Sequence, residues 1–171
     1  MSNFETFIDN LPDYAKDLKL NAKSVILTEN STLSETQISM ISISCSIATK
    51  NTFFAKIVED HFVPKLSENE INGAKASAII MGMNNIYYRF LHLTTNHEYQ
   101  AMPVGLRMSV IANSGINNID FELISLAVSS ITGCGLCVDS HEKKLKSHNV
   151  SSATIQHAIK IAAVLHGLSF C

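Results

Sequence analysis

Apolar residues in this chain recur at helical spacing. Phe121, Ile124, Val128 and Ile131 fall at i, i+3, i+7 and i+10, which is one face of a helix. Ile155, Ala158, Ile159, Ala162 and Leu165 do the same further on. No train of alternating short strands accompanies them. Three prolines and seven glycines leave long stretches between breakers. The pattern predicts an all-α fold of about seven or eight helices.

Caps and breakers bound the elements. Pro12, in a first turn, opens a helix over 12–26. Further helices are expected over 34–49, 51–62 and 67–84. Ser67 with Glu70 three residues on reads as a capping box. Residues 86–93 extend the last of these beyond a kink. A loop with Pro103 and Gly105 leads to a helix over 107–112. The final set spans 120–131, 135–148 and 152–168. Asn149 suits the left-handed position after a helix, and Ser151 or Ser152 the next N-cap.

An internal repeat is visible. The run from Leu33 to Ile43 aligns with the run from Ile116 to Leu126, at an offset of 83 residues. Ala-rich segments near 74–84 and 157–167 correspond roughly. The 171 residues are therefore expected to form a single domain over 1–171, built of two related helical repeats.

Composition narrows the class. Hydrophobic residues make up 46% and charged residues 16%, too apolar and too weakly charged for disorder. The low charge leaves two explanations: a surface of Ser, Thr and Asn, or a face buried against another subunit. Net charge is −2, with no basic stripe of the kind nucleic-acid binders carry. Lys143, Lys144 and Lys146, beside Glu142, read as a solvated helix face. No run approaches a membrane span. The start, Met1-Ser2-Asn3-Phe4-Glu5, lacks the apolar stretch of a secretory signal. A cytoplasmic protein is expected. There, four cysteines point to catalysis, metal binding or burial rather than to structural disulfides.

The chemistry concentrates in Gly133-Cys134-Gly135-Leu136-Cys137-Val138-Asp139-Ser140-His141. On a helix, Cys134, Cys137 and His141 share one stripe. Cys134 would occupy the first turn, where free N–H groups and the positive end of the dipole favour a thiolate. A helix start makes it the more exposed and more acidic of the two thiols. A dithiol across two residues closes reversibly to a disulfide, a two-electron redox device. Glu122 lies on the preceding helix, with Ser125 and Ser129 on its face. An antiparallel hairpin about Thr132-Gly133 brings Glu122 level with His141. A carboxylate there orients the imidazole for proton transfer. The expected relay is Glu122, His141, Cys137, Cys134. The repeat over 116–170 then holds the chemistry. The repeat over 33–90, with Asn51 and Phe54 at the cysteine positions, is non-catalytic.

Two other readings of the motif stay open. Zinc could take Cys134, Cys137 and His141 with Cys171 or His148 as the fourth ligand, although no second CxxC is present. Plain burial is the other. Thioredoxin is not indicated, since no βαβ pattern surrounds the motif. Cys45, among Ile41, Ile43 and Ile47, reads as a buried filler and Cys171 as a tail residue. His61, His92, His97, His148, His157 and His166 show no partner pattern.

Glu122 followed by Cys134-x-x-Cys137-x-x-x-His141 resembles the signature of the alkyl hydroperoxide reductase D family, within the carboxymuconolactone decarboxylase-like all-α superfamily. Asn84-Asn85-Ile86-Tyr87-Tyr88-Arg89-Phe90, Gly105-Leu106-Arg107-Met108, Ile111-Ala112-Asn113 and Phe121-Glu122-Leu123 are similar too. The likeness covers most of the chain. Many family members carry His directly before the second cysteine, where this chain has Leu136.

The resemblance implies an antioxidant homotrimer, with no bound cofactor and no metal. A dihydrolipoyl group on a lipoylated 2-oxo-acid dehydrogenase component supplies the electrons. The redox disulfide of Cys134 and Cys137 passes them to a peroxiredoxin of the AhpC type, which reduces alkyl hydroperoxides. Weak intrinsic peroxidase activity is implied as well. Carried over, Cys137 forms the sulfenic acid or mixed disulfide, Cys134 is its proton donor and disulfide partner, and Glu122 and His141 relay protons. The competing functions are a stand-alone hydroperoxidase and a zinc-stabilised, non-enzymatic helical interaction module. A decarboxylase offers the dithiol no role.

Overall fold

The structure is a computed structural model that describes residues 3–171. Met1 and Ser2, part of the expected 1–171 domain and of the segment read as lacking a signal, lie outside the described residues. Among the described residues there are nine α-helices and no strand. They are α1 (Asn3–Asp9), α2 (Lys16–Val25), α3 (Glu35–Ala48), α4 (Thr52–Phe62), α5 (Glu68–Leu93), α6 (Glu98–Ala101), α7 (Asn118–Thr132), α8 (Gly135–Ser147) and α9 (Ser152–Leu168). None of these is long and apolar enough to cross a membrane.

Caps set most boundaries. Ser34 and Ser67 each close a capping box, with Gln37 and Glu70. Asn51, Asn117 and Ser151 accept N–H groups of the turns they start. Asn149 is left-handed, at φ 60°.

Several elements differ from expectation. The 12–26 helix divides into a 3-10 turn (Asp13–Ala15) and α2. Helix α5 runs unbroken for 26 residues, joining the segments expected over 67–84 and 86–93 into one element. No proline interrupts it, and the Asn85 side chain bonds to another helix instead of competing for its own backbone. The segment expected as a helix over 107–112 holds one 3-10 turn, Ser109–Ile111, because Met108 stands at φ −133°, outside the helical region. Helices α1 and α6 were not expected. Their seven and four residues are too short to show a period.

Helices α3 and α7 form the middle of the molecule, packed on each other and on α5 and α9. Helix α3 is buried at nine consecutive positions, Ile38 to Ser46. A helix buried all round has no room for charge. Three of its four buried serines donate to carbonyls: Ser39 to Glu35 at 2.7 Å, Ser44 to Ala74 at 2.6 Å, Ser46 to Ile43 at 2.8 Å, while Ser42 Oγ has no partner among the described residues. Part of the abundant Ser is therefore inside, not on the surface. One apolar cluster draws on both halves of the chain, from Phe4 to Leu168.

At the 83-residue offset the halves share local geometry. Gln37 Nε2 donates to Asp120 Oδ1 across that interval at 2.7 Å. Lys50 and Gly133 are both left-handed, at φ 65° and 71°. The residues after them, Asn51 and Cys134, both cap a helix by accepting the N–H three residues on.

Two cysteines are free. Cys45 is fully buried, and burial pushes its thiol far above the ordinary range. Cys171 is exposed. With the other two cysteines joined, as described below, one thiol per folded chain should react with iodoacetamide at neutral pH, at Cys171. Cys45 should react only after unfolding. Peptide mapping that finds both labelled at similar rates in the folded protein would contradict this packing.

Candidate active site

Helix α7 ends where Gly133 turns left-handed, a conformation that costs a residue with a Cβ about 1–2 kcal/mol. The Gly133 N–H donates to the Ser130 carbonyl at 3.3 Å and the Cys134 N–H to the Ser129 carbonyl at 3.2 Å, closing the helix. Helix α8 starts at once and returns alongside α7.

Cys134 is its N-cap. Cys134 Sγ accepts the Cys137 N–H at 3.3 Å. The two sulfurs form a disulfide, with S–S 2.11 Å and Cα–Cα 5.3 Å. Cys134 is 0% exposed and Cys137 is 7% exposed. The expectation that Cys134 is the more accessible thiol is thus reversed. A capping side chain folds back over its own first turn, while Cys137 reaches the wall of a cavity.

That cavity, of about 720 Å³, lies between α5 and the α7–α8 hairpin. Helix α5 lines it with Met81, Asn84 and Tyr88, and the 3-10 segment with Met108 and Ile111. Glu122, Leu136, Cys137, Ser140, His141, Lys143 and Lys144 complete it. Leu136 is 43% exposed, an apolar side chain on the cavity wall.

Glu122 and His141 meet across the hairpin. Oε2 and Nδ1 are 2.7 Å apart, with both side chains mostly buried. With Nδ1–H donating to the carboxylate, Nε2 is the nitrogen left to take up or release a proton. Ser125 and Ser129 do not join this pair. Both are buried between α7 and α5, Ser125 against Ser77 Oγ at 3.0 Å and Ser129 donating to Asn85 Oδ1 at 3.1 Å.

The zinc arrangement is not formed. Among the described residues no group of three His, Cys, Asp or Glu is placed to hold a metal ion. Cys171 lies in a separate groove with Asn3, Phe7 and Phe53, and His148 Nδ1 faces the Lys144 carbonyl at 2.9 Å. Lys143 pairs with Asp139 in solvent at 2.8 Å, as a solvated helix face does.

Helix α5 holds the hairpin turn. Asn85 Nδ2 donates to Thr132 Oγ1 at 2.7 Å, and Arg89 Nη1 to the Thr132 carbonyl at 2.6 Å. These bonds pin the residue before Gly133. Asn85 and Arg89 stand one turn apart, and that i, i+4 polar pair on a long helix is the signal that could have found them. The His92 ring stands over Gly135, 3.5 Å from where a Cβ would sit.

A Cys-x-x-Cys disulfide beside a paired glutamate and histidine, on helices alone, marks an all-α dithiol oxidoreductase. The model of the carboxymuconolactone decarboxylase family matches residues 97–169. A Coxiella burnetii protein (strain RSA 493 / Nine Mile phase I) named alkyl hydroperoxide reductase AhpD is 49% identical over 166 residues, 96% of this chain and 94% of its own. Proteins of the same name from Brucella anthropi and Solibacter usitatus are 46% and 47% identical, over 93% and 96% of this chain and 90% and 92% of their own. The chain belongs to the alkyl hydroperoxide reductase AhpD family.

Proposed function

We propose that this protein is an antioxidant thiol oxidoreductase whose Cys134–Cys137 pair takes electrons from a dihydrolipoyl group and passes them to a peroxiredoxin of the AhpC type. The donor is carried by a 2-oxo-acid dehydrogenase component in the cytoplasm. The supporting observation is the position of Cys137: half of a disulfide, at the wall of an open cavity, with the Glu122–His141 pair on the same wall.

A donor thiolate attacks Cys137 Sγ, which faces the cavity. The Cys134–Cys137 bond breaks, and a mixed disulfide forms on Cys137. Cys134 leaves as a thiolate, favoured by the Cys137 N–H and by the N-terminal end of α8. The second donor thiol closes the lipoyl ring and releases Cys137. Two electrons and two protons have then moved to the protein. In the forward step, Cys137 attacks the peroxiredoxin disulfide and Cys134 resolves the mixed disulfide. His141, held by Glu122, takes and returns the protons.

The same groups support weak intrinsic peroxidase activity. The Cys137 thiolate takes the outer oxygen of ROOH, giving sulfenic acid and, with a proton from His141, ROH. The Cys134 thiol then forms the disulfide and releases water.

A homotrimer fits the surface. Ile79, Ile86 and Leu93 on α5 are 71%, 56% and 73% exposed at intervals of seven residues, an apolar stripe that the described residues leave uncovered.

NADH oxidation coupled through lipoamide dehydrogenase, lipoamide, a peroxiredoxin and a peroxide tests the reaction. Cys134→Ser and Cys137→Ser should each abolish turnover, and Glu122→Gln should lower it about tenfold or more at neutral pH. Wild-type rates in both cysteine variants would refute the reading. Sedimentation equilibrium should give three chains per particle. A monomer would remove the trimer.

A further inference from the structure

Two adjacent asparagines on α5 have opposite fates. Asn85 is fully bonded, donating to Thr132 and accepting from Ser129. Asn84 is only 5% exposed, yet it lines the cavity that holds Cys137. Its Oδ1 is buried without a hydrogen-bond partner among the described residues. Buried polar atoms are almost always paired, so an idle acceptor at a reactive cavity calls for a role. Met81 and Tyr88, about one turn to either side, line the same wall. The α5 wall thus reads apolar, carboxamide, apolar, and it faces the α8 wall that carries Cys137.

We infer that Asn84 is a specificity-determining residue, whose Oδ1 accepts the N–H of an amide-linked dithiol donor. The inference rests on the lipoyl reading above and says which form of that group the cavity is built for. A lipoyl group joined to lysine has a dithiol end, a methylene tail and an amide. The tail suits Met81 and Tyr88, and the amide N–H suits an acceptor with nothing else to bind. Free dihydrolipoate ends in a carboxylate, which accepts hydrogen bonds and has none to donate. Rotation about the Cβ–Cγ bond of Asn84, a residue of the cavity wall, breaks no hydrogen bond of that oxygen. Sites that use a hydrogen bond to select a substrate reject the analogue lacking it, because the protein group is left unpaired.

The test compares two chemically reduced donors, dihydrolipoamide and dihydrolipoate, on the oxidised protein in single turnover, followed by the near-ultraviolet band of the dithiolane formed. The wild type should react faster with the amide. Asn84→Leu, which fills the site, and Asn84→Ala, which cannot clash, should each cut the amide-to-acid rate ratio about tenfold. A ratio unchanged in both variants overturns the inference. So does an equal loss for both donors, which would mark Asn84 as a structural residue. A wild type that neither donor reduces overturns the lipoyl reading itself, and the inference with it.

Discussion

The left-handed residue at Gly133 is the constraint on which the site depends. It ends α7 and lets α8 begin two residues on, at Gly135, so the two helices lie side by side with almost no loop. Three consequences follow. Glu122 and His141 come level and bond at 2.7 Å. Cys134 becomes an N-cap, its sulfur turned inward and bonded to the Cys137 N–H. Cys137, one turn later, reaches the cavity. The other half makes the same turn with Lys50 and caps it with Asn51, which spends its side chain on the Phe54 N–H and the Ser169 carbonyl. The same backbone device therefore serves structure in one half and chemistry in the other.

Helix α5 has two tasks. Asn85 and Arg89 fasten Thr132 and keep the turn in place. Met81, Asn84 and Tyr88 form a wall of the cavity. Position of the thiols and shape of the binding space thus depend on one element, so a shift of α5 would move both. Its third face, with Ile79, Ile86 and Leu93, looks outward and is exposed.

The strongest elements were readable from the sequence because each carries a local signal. Periodicity and caps locate α3, α4, α7, α8 and α9 within a residue or two. The Glu122–His141 register followed from counting residues to the turn. The rest depends on contacts between distant segments. Whether Cys134 or Cys137 faces outward is set by what packs over the N-cap, and spacing is silent on that. The Asn85–Thr132 and Arg89–Thr132 bonds span more than 40 residues. Ser125 and Ser129 share a helix face with Glu122, yet α5 claims them.

The central claim is that Cys137 is the sulfur a partner reaches first and Cys134 the one that leaves. Trapping tests it most directly. Cys134→Ser and Cys137→Ser proteins, each with one of the two thiols remaining, are exposed to lipoamide disulfide, and the mixed disulfide is mapped by mass spectrometry against time. The account predicts rapid adduct formation on Cys137 in the first variant and little on Cys134 in the second. Faster modification of Cys134 would contradict it.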